Sequence, residues 1–278
     1  MINPGKANQL DTQEKVRRLH AILKLHAPVL IAYSGGVDST FLLHEARQAL
    51  GGEAVGIIAD SPSLPRRSLI DALQHAKDFG AQVEVIATKE LSDPRYAGNP
   101  TNRCYFCKLE LFSRMQQIAS ERGFAALAYG ENADDAFQWR PGSIAAAEFR
   151  VIAPLRSAGL TKAEIRFLSR QRDLPTADLP AQPCLSSRIP HGTPVTRAAL
   201  LMIEKAEEVV RRAGFHVFRV RYFSNGPTDE PEAKIEIAAE EFGRWEAVES
   251  TVRERLAKLG FRGIKIDPNG YRPPAAVR

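Results

Sequence analysis

Apolar residues along this chain fall into two patterns: short unbroken runs, and positions that recur at helical spacing. Val29-Leu30-Ile31-Ala32-Tyr33 is a run of the first kind, followed by Ala54 to Ala59, Gln82 to Ala87 and Ala125 to Tyr129. Runs of that length suit strands buried on both faces of a parallel sheet. Val16, Leu19, Ile22 and Leu23 instead repeat as one face of a helix. Asp11 with Glu14 predicts a capping box that opens this helix. A second helix is predicted through Phe41, Leu42 and Leu43 to Gly51-Gly52, and a third beginning near Ser63 and Pro65. Residues 91–103 read as a loop holding Pro94, Gly98 and Pro100. A helix from about Lys108 to Arg122 ends at Gly123, and Thr161 with Glu164 forms a capping box for another, to about Arg172. Strands and helices that alternate in this way imply an α/β fold, a parallel sheet with helices on both faces.

The pattern changes at 174–194. Pro175, Pro180, Pro183, Pro190 and Pro194 make this stretch a rigid, extended connector. A helix from about Thr196 to Ala213 follows, stopped by Gly214. Two strands, His216–Tyr222 and Ala233–Ala238, a helix from about Glu240 to Lys258 and a strand Phe261–Asp267 complete a smaller α+β unit. The expected division is 1–180 and 181–278, with no internal repeat or low-complexity tract.

Composition adds bounds. With 44% hydrophobic and 26% charged residues the chain is an ordinary globular protein. Its 278 residues suffice for a sizeable core. No apolar run reaches membrane-spanning length, and the N-terminus lacks a secretory signal, so a cytoplasmic location and no membrane partner are expected. A net charge of +5 suits an anionic substrate; the basic residues are scattered rather than blocked, which argues against a nucleic-acid partner.

The first chemical motif is Ser34-Gly35-Gly36-Val37-Asp38-Ser39, between a predicted buried strand and a helix N-terminus. Glycines let the backbone turn tightly and aim several N–H groups at one anion, and the helix dipole adds to their pull. Ser34 and Ser39 offer hydroxyls. Asp38 cannot hold phosphate directly, so magnesium binding or loop bracing is its expected role. The Gly-Lys-Ser/Thr ending of the Walker loop is absent, so γ-phosphate transfer is not indicated.

The hexapeptide resembles the pyrophosphatase loop of the PP-loop ATPases. That resemblance implies ATP cleavage between the α and β phosphates, with adenylylation of a substrate oxygen. It also implies an adenine contact at the end of the second strand, here Ala59-Asp60-Ser61, and a site lined by the end of the fourth, here Gly130-Glu131-Asn132 with Asp134; Asp134 and Asp135 could equally be solvated loop charges.

The second motif is the set of three cysteines. Cys104 and Cys107 are three residues apart, a spacing that suits zinc, a redox pair or an iron–sulfur cluster. Cys184 lies in Gln182-Pro183-Cys184-Leu185-Ser186-Ser187-Arg188, and Arg188 marks it as a candidate reactive thiolate. An odd count in a cytoplasmic chain argues against a disulfide framework. Three cysteines could hold three irons of a [4Fe-4S] cluster and leave the fourth open to sulfide; a zinc site completed by His191 is the alternative. The other five histidines read as surface residues of helices and strands.

Taken together the residues carry a narrower resemblance, spanning nearly the whole chain. Asp60-Ser61-Pro62-Ser63-Leu64-Pro65-Arg66-Arg67, Asn102-Arg103-Cys104-Tyr105-Phe106-Cys107-Lys108, Asn132-Ala133-Asp134-Asp135, Arg140-Pro141-Gly142, Gly159-Leu160-Thr161-Lys162 and Pro183–Arg188 join the loop in it. The chain resembles the LarE-type ATP-dependent sulfur transferases of nickel-pincer nucleotide biosynthesis. The resemblance implies ATP and Mg2+ as cofactors, with Asp38 toward the metal. Its implied substrate is a pyridinium dicarboxylate mononucleotide, adenylylated with release of pyrophosphate and converted by sulfur to a thiocarboxylate. In one branch Cys184 gives up its own sulfur; in the other Cys104, Cys107 and Cys184 hold a [4Fe-4S] cluster, and the full set of three favours that branch here. A homo-oligomer, hexameric in the family, is implied as well; no sulfur donor is.

In the C-terminal unit Arg219 and Arg221 share one face of their strand. If that strand pairs with the next, both arginines and Glu236 lie on the same polar face, and arginine forks suit phosphate and carboxylate. The resemblance carries substrate phosphate binding to Arg219, Arg221 and Glu236, and Arg188 is counted with this set. The stretch from Phe223 to Glu232 is longer than the family's usual hairpin turn. Competing readings are a tRNA thiolase, which needs an RNA-binding surface, an ammonia-using amide ligase, which needs no cysteines, and a non-catalytic zinc or cluster module, which needs no ATP.

Overall fold

The computed structural model describes residues 4–137, 140–224 and 230–271. Four strands form one wholly parallel sheet: β1 (Val29–Ala32), β2 (Ala54–Asp60), β3 (Gln82–Ala87) and β4 (Ala126–Tyr129), in the order β3-β2-β1-β4. β1 is buried along its whole length, as an unbroken apolar run requires of a central strand. Helices cover both faces, as the alternation predicts. On one face α1 (Pro4–Leu25), α2 (Val37–Leu50) and α3 (Arg66–Asp78) pack with two later helices, α7 (Pro154–Ser157) and α8 (Lys162–Gln171), around Leu19, Phe41, Leu155 and Ile165. On the other, α5 (Arg103–Arg122) and α6 (Pro141–Glu148) pack around Phe112, Met115 and Ala145. A one-turn helix, α4 (Pro94–Ala97), precedes α5.

The strand order reverses between β1 and β4. In an open parallel sheet that point leaves a crevice beyond the carboxyl ends of the strands, where ligands bind. Ser34–Ser39 follows β1 and Gly130 follows β4, so the topology brings both to that crevice.

Several local expectations needed correction. The first helix begins at Pro4, so Asp11 lies inside it and pairs with Lys15 at 3.4 Å rather than capping. α5 begins at Arg103, placing Cys104 and Cys107 in its first turns; the prolines of 91–103 bracket α4 instead of forming an unbroken loop. The Thr161–Glu164 capping box is formed as expected.

His20 and His44 are not free surface residues. Their ring nitrogens lie 2.8 and 3.0 Å from the Glu45 carboxylate, which is 1% exposed and also paired with Arg172. Burial alone would raise the Glu45 carboxyl, but His20, His44 and the Arg172 charge outweigh it and hold it at about 2. A carboxyl depressed in the fold stabilises it above the unfolded value, near 4.5, and loses that stabilisation as pH falls toward 2. Glu45→Gln is therefore expected to flatten the acid limb of denaturant stability between pH 5 and 2, on the order of 3 kcal/mol in wild type. Parallel acid limbs in the two proteins would contradict this.

The C-terminal unit contains α9 (Arg197–Arg212), β5 (Phe218–Phe223), β6 (Glu232–Ile237), α10 (Trp245–Lys258) and β7 (Gly263–Ile266). Its sheet runs β5-β6-β7, with β5 antiparallel and β7 parallel to β6. The helix expected from Glu240 is a 3-10 turn, Ala239–Arg244, before α10 proper. Phe218, Val220 and Tyr222 face the unit's core with Ile235, Trp245 and Leu256. The proline-rich connector is not a free tether. Leu185 and Ile189 are buried with Tyr96, Ile203 and Val195 in a core that joins the two units. Residues 225–229, half of the Phe223–Glu232 insertion, lie outside the described residues.

Candidate active site

The loop after β1 is braced by its own serines. Ser39 Oγ accepts from the Ser34 amide at 3.1 Å, lies 3.0 Å from Ser34 Oγ and donates to the Gly36 carbonyl at 3.1 Å. Gly36 occupies the N-cap of α2, where no side chain caps the first N–H groups. Those donors are left for an anion. Gly35 has φ of 73° and its α-carbon faces Ala72, whose Cβ would be 2.6 Å from any side chain added there. Both the backbone conformation and the close approach require glycine.

Gly130 packs on this loop from β4. A Cβ there would lie 2.9 Å from the Ser39 amide nitrogen and 3.1 Å from the Asp38 carbonyl carbon. Gly130→Ala must push the loop aside. The expected result is a folded protein with ATP affinity reduced about tenfold or more, since a misplaced cradle loses several aligned donors at once. An unchanged dissociation constant by calorimetry would refute the close packing.

Around Asp38 is a set of charges. Lys162, first residue of α8, sets its ammonium 2.7 Å from Asp38 Oδ2, while Oδ1 is buried without a hydrogen-bond partner. Glu131 is buried and holds three partners: Tyr129 at 2.6 Å, Ser143 at 2.7 Å and Arg156 at 2.7 Å. Asp135 binds Arg140 at 2.5 Å; burial, with Asp38 and Glu131 nearby, raises its carboxyl above the ordinary range. Asp60, at the end of β2, is bound by Arg66 at 2.5 Å. The same guanidinium donates to the Ser61 and Leu64 carbonyls, so it shapes the loop after β2. A buried carboxylate oxygen without a donor, beside an anion cradle, is a hard-oxygen ligand suited to magnesium. By that test the residues present fit the ion.

The cysteines are brought together by a polar lock. Ser63, Tyr96 and Ser186 are buried and their hydroxyls form a closed triangle, at 2.6, 2.6 and 2.8 Å. Buried hydroxyls satisfied only by one another hold their backbones in one arrangement. The Leu185 amide donates to the Ser63 carbonyl at 2.8 Å, and Arg103 donates to the Ser186 carbonyl at 3.1 Å. Cys184, N-cap of the 185–188 turn, is thereby set against the start of α5. Burial raises the Cys107 thiol to about 12, with Glu90 and Cys184 adding to it; Cys104, in the first turn of the same helix, is exposed. Among the described residues, no three His, Cys, Asp or Glu side chains are close enough to share one metal ion. His191 does not join them in such a group; it lines the neighbouring cleft.

That cleft, of about 400 Å³, lies between the connector and the polar face of the C-terminal sheet. β5 and β6 pair so that Arg219 faces Glu236 and Arg221 faces Lys234, which puts both arginines and Glu236 on one face as expected. Arg221 donates to Glu236 at 3.0 Å and to the Ser187 carbonyl at 2.9 Å. Arg219 is buried beneath the Tyr271 ring, 4.9 Å from its centroid, and donates to that hydroxyl at 3.2 Å. Burial, and then the charges of Arg188 and Arg221, lower its pKa, so positive charge is concentrated here. Arg188 is differently engaged. It donates to Glu207 at 2.8 and 3.2 Å, to the Pro183 carbonyl at 2.6 Å and to the Cys184 carbonyl at 3.2 Å. Its guanidinium ties the Cys184 backbone to α9, while Arg221 presents the more open fork to the cleft.

Lys162, Glu207 and the Ser63–Tyr96–Ser186 triangle were not singled out as site residues, whereas Glu131 was expected to line the site with Gly130 and Asn132. Lys162 and Ser63 lie in quoted motifs, but nothing in their spacing says which distant side chain each meets. Glu207 sits on the buried face of an amphipathic helix, and a charged residue at such a position is the signal that could have found it.

No protein-family model matches the chain. An uncharacterized protein of Synechocystis is 39% identical over 87% of this chain and 89% of its own length. The pyridinium-3,5-bisthiocarboxylic acid mononucleotide synthase of Lactiplantibacillus plantarum is 31% identical over 93% of this chain and 92% of its own. A tRNA-5-methyluridine(54) 2-sulfurtransferase of Thermus thermophilus is 32% identical over a shorter stretch, 45% of this chain and 40% of its own.

Proposed function

Since the chain belongs to the LarE-type sulfur transferases, the family of the L. plantarum synthase, we propose that it converts a carboxylate of a pyridinium mononucleotide to a thiocarboxylate at the expense of ATP. The observation that carries this reading is the placement of Cys184. The hydroxyl triangle and the Arg103–Ser186 contact tie its segment to the start of α5, the helix that carries Cys104 and Cys107, next to a cleft lined by Arg188 and Arg221.

The chemistry divides into two displacements. In the first, the Ser34–Ser39 backbone holds the phosphates of ATP while a substrate carboxylate oxygen attacks the α-phosphorus. The bond to the β-phosphate oxygen breaks, and pyrophosphate leaves with the electron pair. Magnesium, held by Asp38, would neutralise charge on the phosphates. In the second, sulfur attacks the acyl carbon and the bond to AMP breaks, leaving the thiocarboxylate. Neither displacement changes an oxidation state. Arg221 binds the substrate phosphate, Glu236 sets the angle of its fork, and Arg219 adds positive charge from beneath the Tyr271 ring. Arg188 keeps the Cys184 backbone in register with α9.

For the sulfur, we favour a [4Fe-4S] cluster: Cys104, Cys107 and Cys184 would hold it, and it would supply exogenous sulfide for the second displacement. The full set of three free cysteines, two of them at the start of α5 and the third in the segment that Arg103 ties to that start, supports it. Protein purified without oxygen is expected to be brown, with iron and acid-labile sulfide, and Cys104→Ala to be colourless. A colourless wild type whose Cys184 becomes dehydroalanine after one turnover would sink the cluster and leave the sacrificial route. The substrate is a small nucleotide, and assembly as a homo-oligomer belongs to the same proposal. Among the described residues no helix is long and apolar enough to cross a membrane.

The test of the function is pyrophosphate release. Release from ATP should depend on the carboxylated pyridinium mononucleotide and be indifferent to tRNA. Release that requires tRNA would instead favour the chemistry of the T. thermophilus relative.

A further inference from the structure

Lys162 is anchored at its backbone and carries its charge on a flexible, partly exposed side chain. Its amide donates to Asp134 Oδ2 at 2.8 Å, and the preceding Thr161 closes a capping box with Glu164. Its side chain is 38% exposed and ends on Asp38 Oδ2, 2.7 Å away. A lysine ammonium on a four-carbon stem can change partners without moving its backbone. The other Asp38 oxygen is buried without a donor. This carboxylate therefore has one oxygen blocked by a cation and one ready for a second.

We propose that Lys162 is an exchangeable counter-ion of the phosphate loop. In the nucleotide-free protein it neutralises Asp38 and keeps a divalent cation from settling there alone. When magnesium-bound ATP arrives, the ammonium would pass to the phosphates, and the Asp38 carboxylate would be freed for the metal. The triphosphate bears more negative charge than the carboxylate, so the exchange runs toward the nucleotide. No bond to carbon or phosphorus changes in this step.

The proposal rests on the ATP reading above, and two measurements separate them. The first is Mn2+ binding to the nucleotide-free protein, followed by electron paramagnetic resonance. Lys162→Met removes the competing cation, and Mn2+ affinity is expected to rise about fivefold, the gain disappearing in Asp38→Asn/Lys162→Met. The second is calorimetric binding of magnesium-bound ATP, expected to weaken about tenfold in Lys162→Met with partial recovery in Lys162→Arg. Opposite signs in the two measurements are not produced by local misfolding, which weakens both. Unchanged Mn2+ affinity would overturn the counter-ion role alone. Unchanged nucleotide affinity would overturn the transfer to phosphate. A wild-type protein that takes no magnesium-bound ATP would overturn the underlying reading and the transfer with it, leaving the Mn2+ result to decide the pairing with Asp38.

Discussion

Cys184→Ala is expected to end thiocarboxylate formation while substrate-dependent pyrophosphate release continues. The two halves of the reaction use different parts of the molecule. Adenylylation draws on the Ser34–Ser39 loop, and Cys184 lies in the connector, docked on the loop after β2 by its neighbours. What holds that segment is backbone and hydroxyl chemistry: the Leu185 amide on Ser63, the Ser186 hydroxyl in its triangle, and Arg188 on the Cys184 carbonyl. None of these uses the Cys184 sulfur. The alanine variant should keep its fold, and loss of product can then be assigned to the missing thiol. The expected fall is at least about a thousandfold, the scale for removing a group that bonds to the reacting atoms. Mass spectrometry of the nucleotide product, beside a coupled pyrophosphate assay on the same sample, separates the two steps. Product formed at near the wild-type rate would remove Cys184 from sulfur transfer under either route.

The second large effect is expected at Asp38. Asp38→Ala should lower pyrophosphate release by about a thousandfold, comparable to losing a principal electrostatic contact to the transition state. Two roles were open to this residue, metal binding and loop bracing. The structure assigns the bracing elsewhere: Ser34, Gly36 and Ser39 hold one another through the serine hydroxyls. Asp38 contributes no hydrogen bond to that set, and among the described residues its charged partner is Lys162. Asp38→Asn keeps the shape and loses the charge, so it should be nearly as inactive as alanine while melting like wild type. A variant that releases pyrophosphate normally would take Asp38 out of the mechanism.

The legible parts of this protein were those set by short-range chemistry. β1 and the loop after it could be read because an unbroken apolar run, two glycines and a helix start occupy ten residues in sequence. The Thr161–Glu164 box could be read for the same reason. Facing residues in β5 and β6 followed from the alternation of side chains, and once the strands paired, Arg219 met Glu236. Asp11 and Glu14 matched a capping pattern, yet the helix began earlier, because a local motif carries no information about residues upstream that extend it. α5 began five residues before its expected start, in a stretch whose prolines suggested loop. The site's long-range pairings were not legible. Lys162 meets Asp38 across 124 positions, and Ser63 meets Ser186 across 123. Such pairs depend on how α8 and the connector return to the sheet, which periodicity does not encode. Arg188 illustrates the limit: its proximity to Cys184 was visible, but its engagement with Glu207 on α9 appears only in the fold.

One measurement bears most directly on the central claim, that ATP is used here to place sulfur on a nucleotide carboxylate. Anaerobically purified protein is incubated with magnesium-bound ATP, sulfide and the pyridinium dicarboxylate mononucleotide, and the nucleotide is weighed by mass spectrometry. The expected product has one carboxylate oxygen replaced by sulfur, with AMP and pyrophosphate formed in equal amounts. Nucleotide recovered unchanged, or ATP returned as ADP and phosphate, would contradict it.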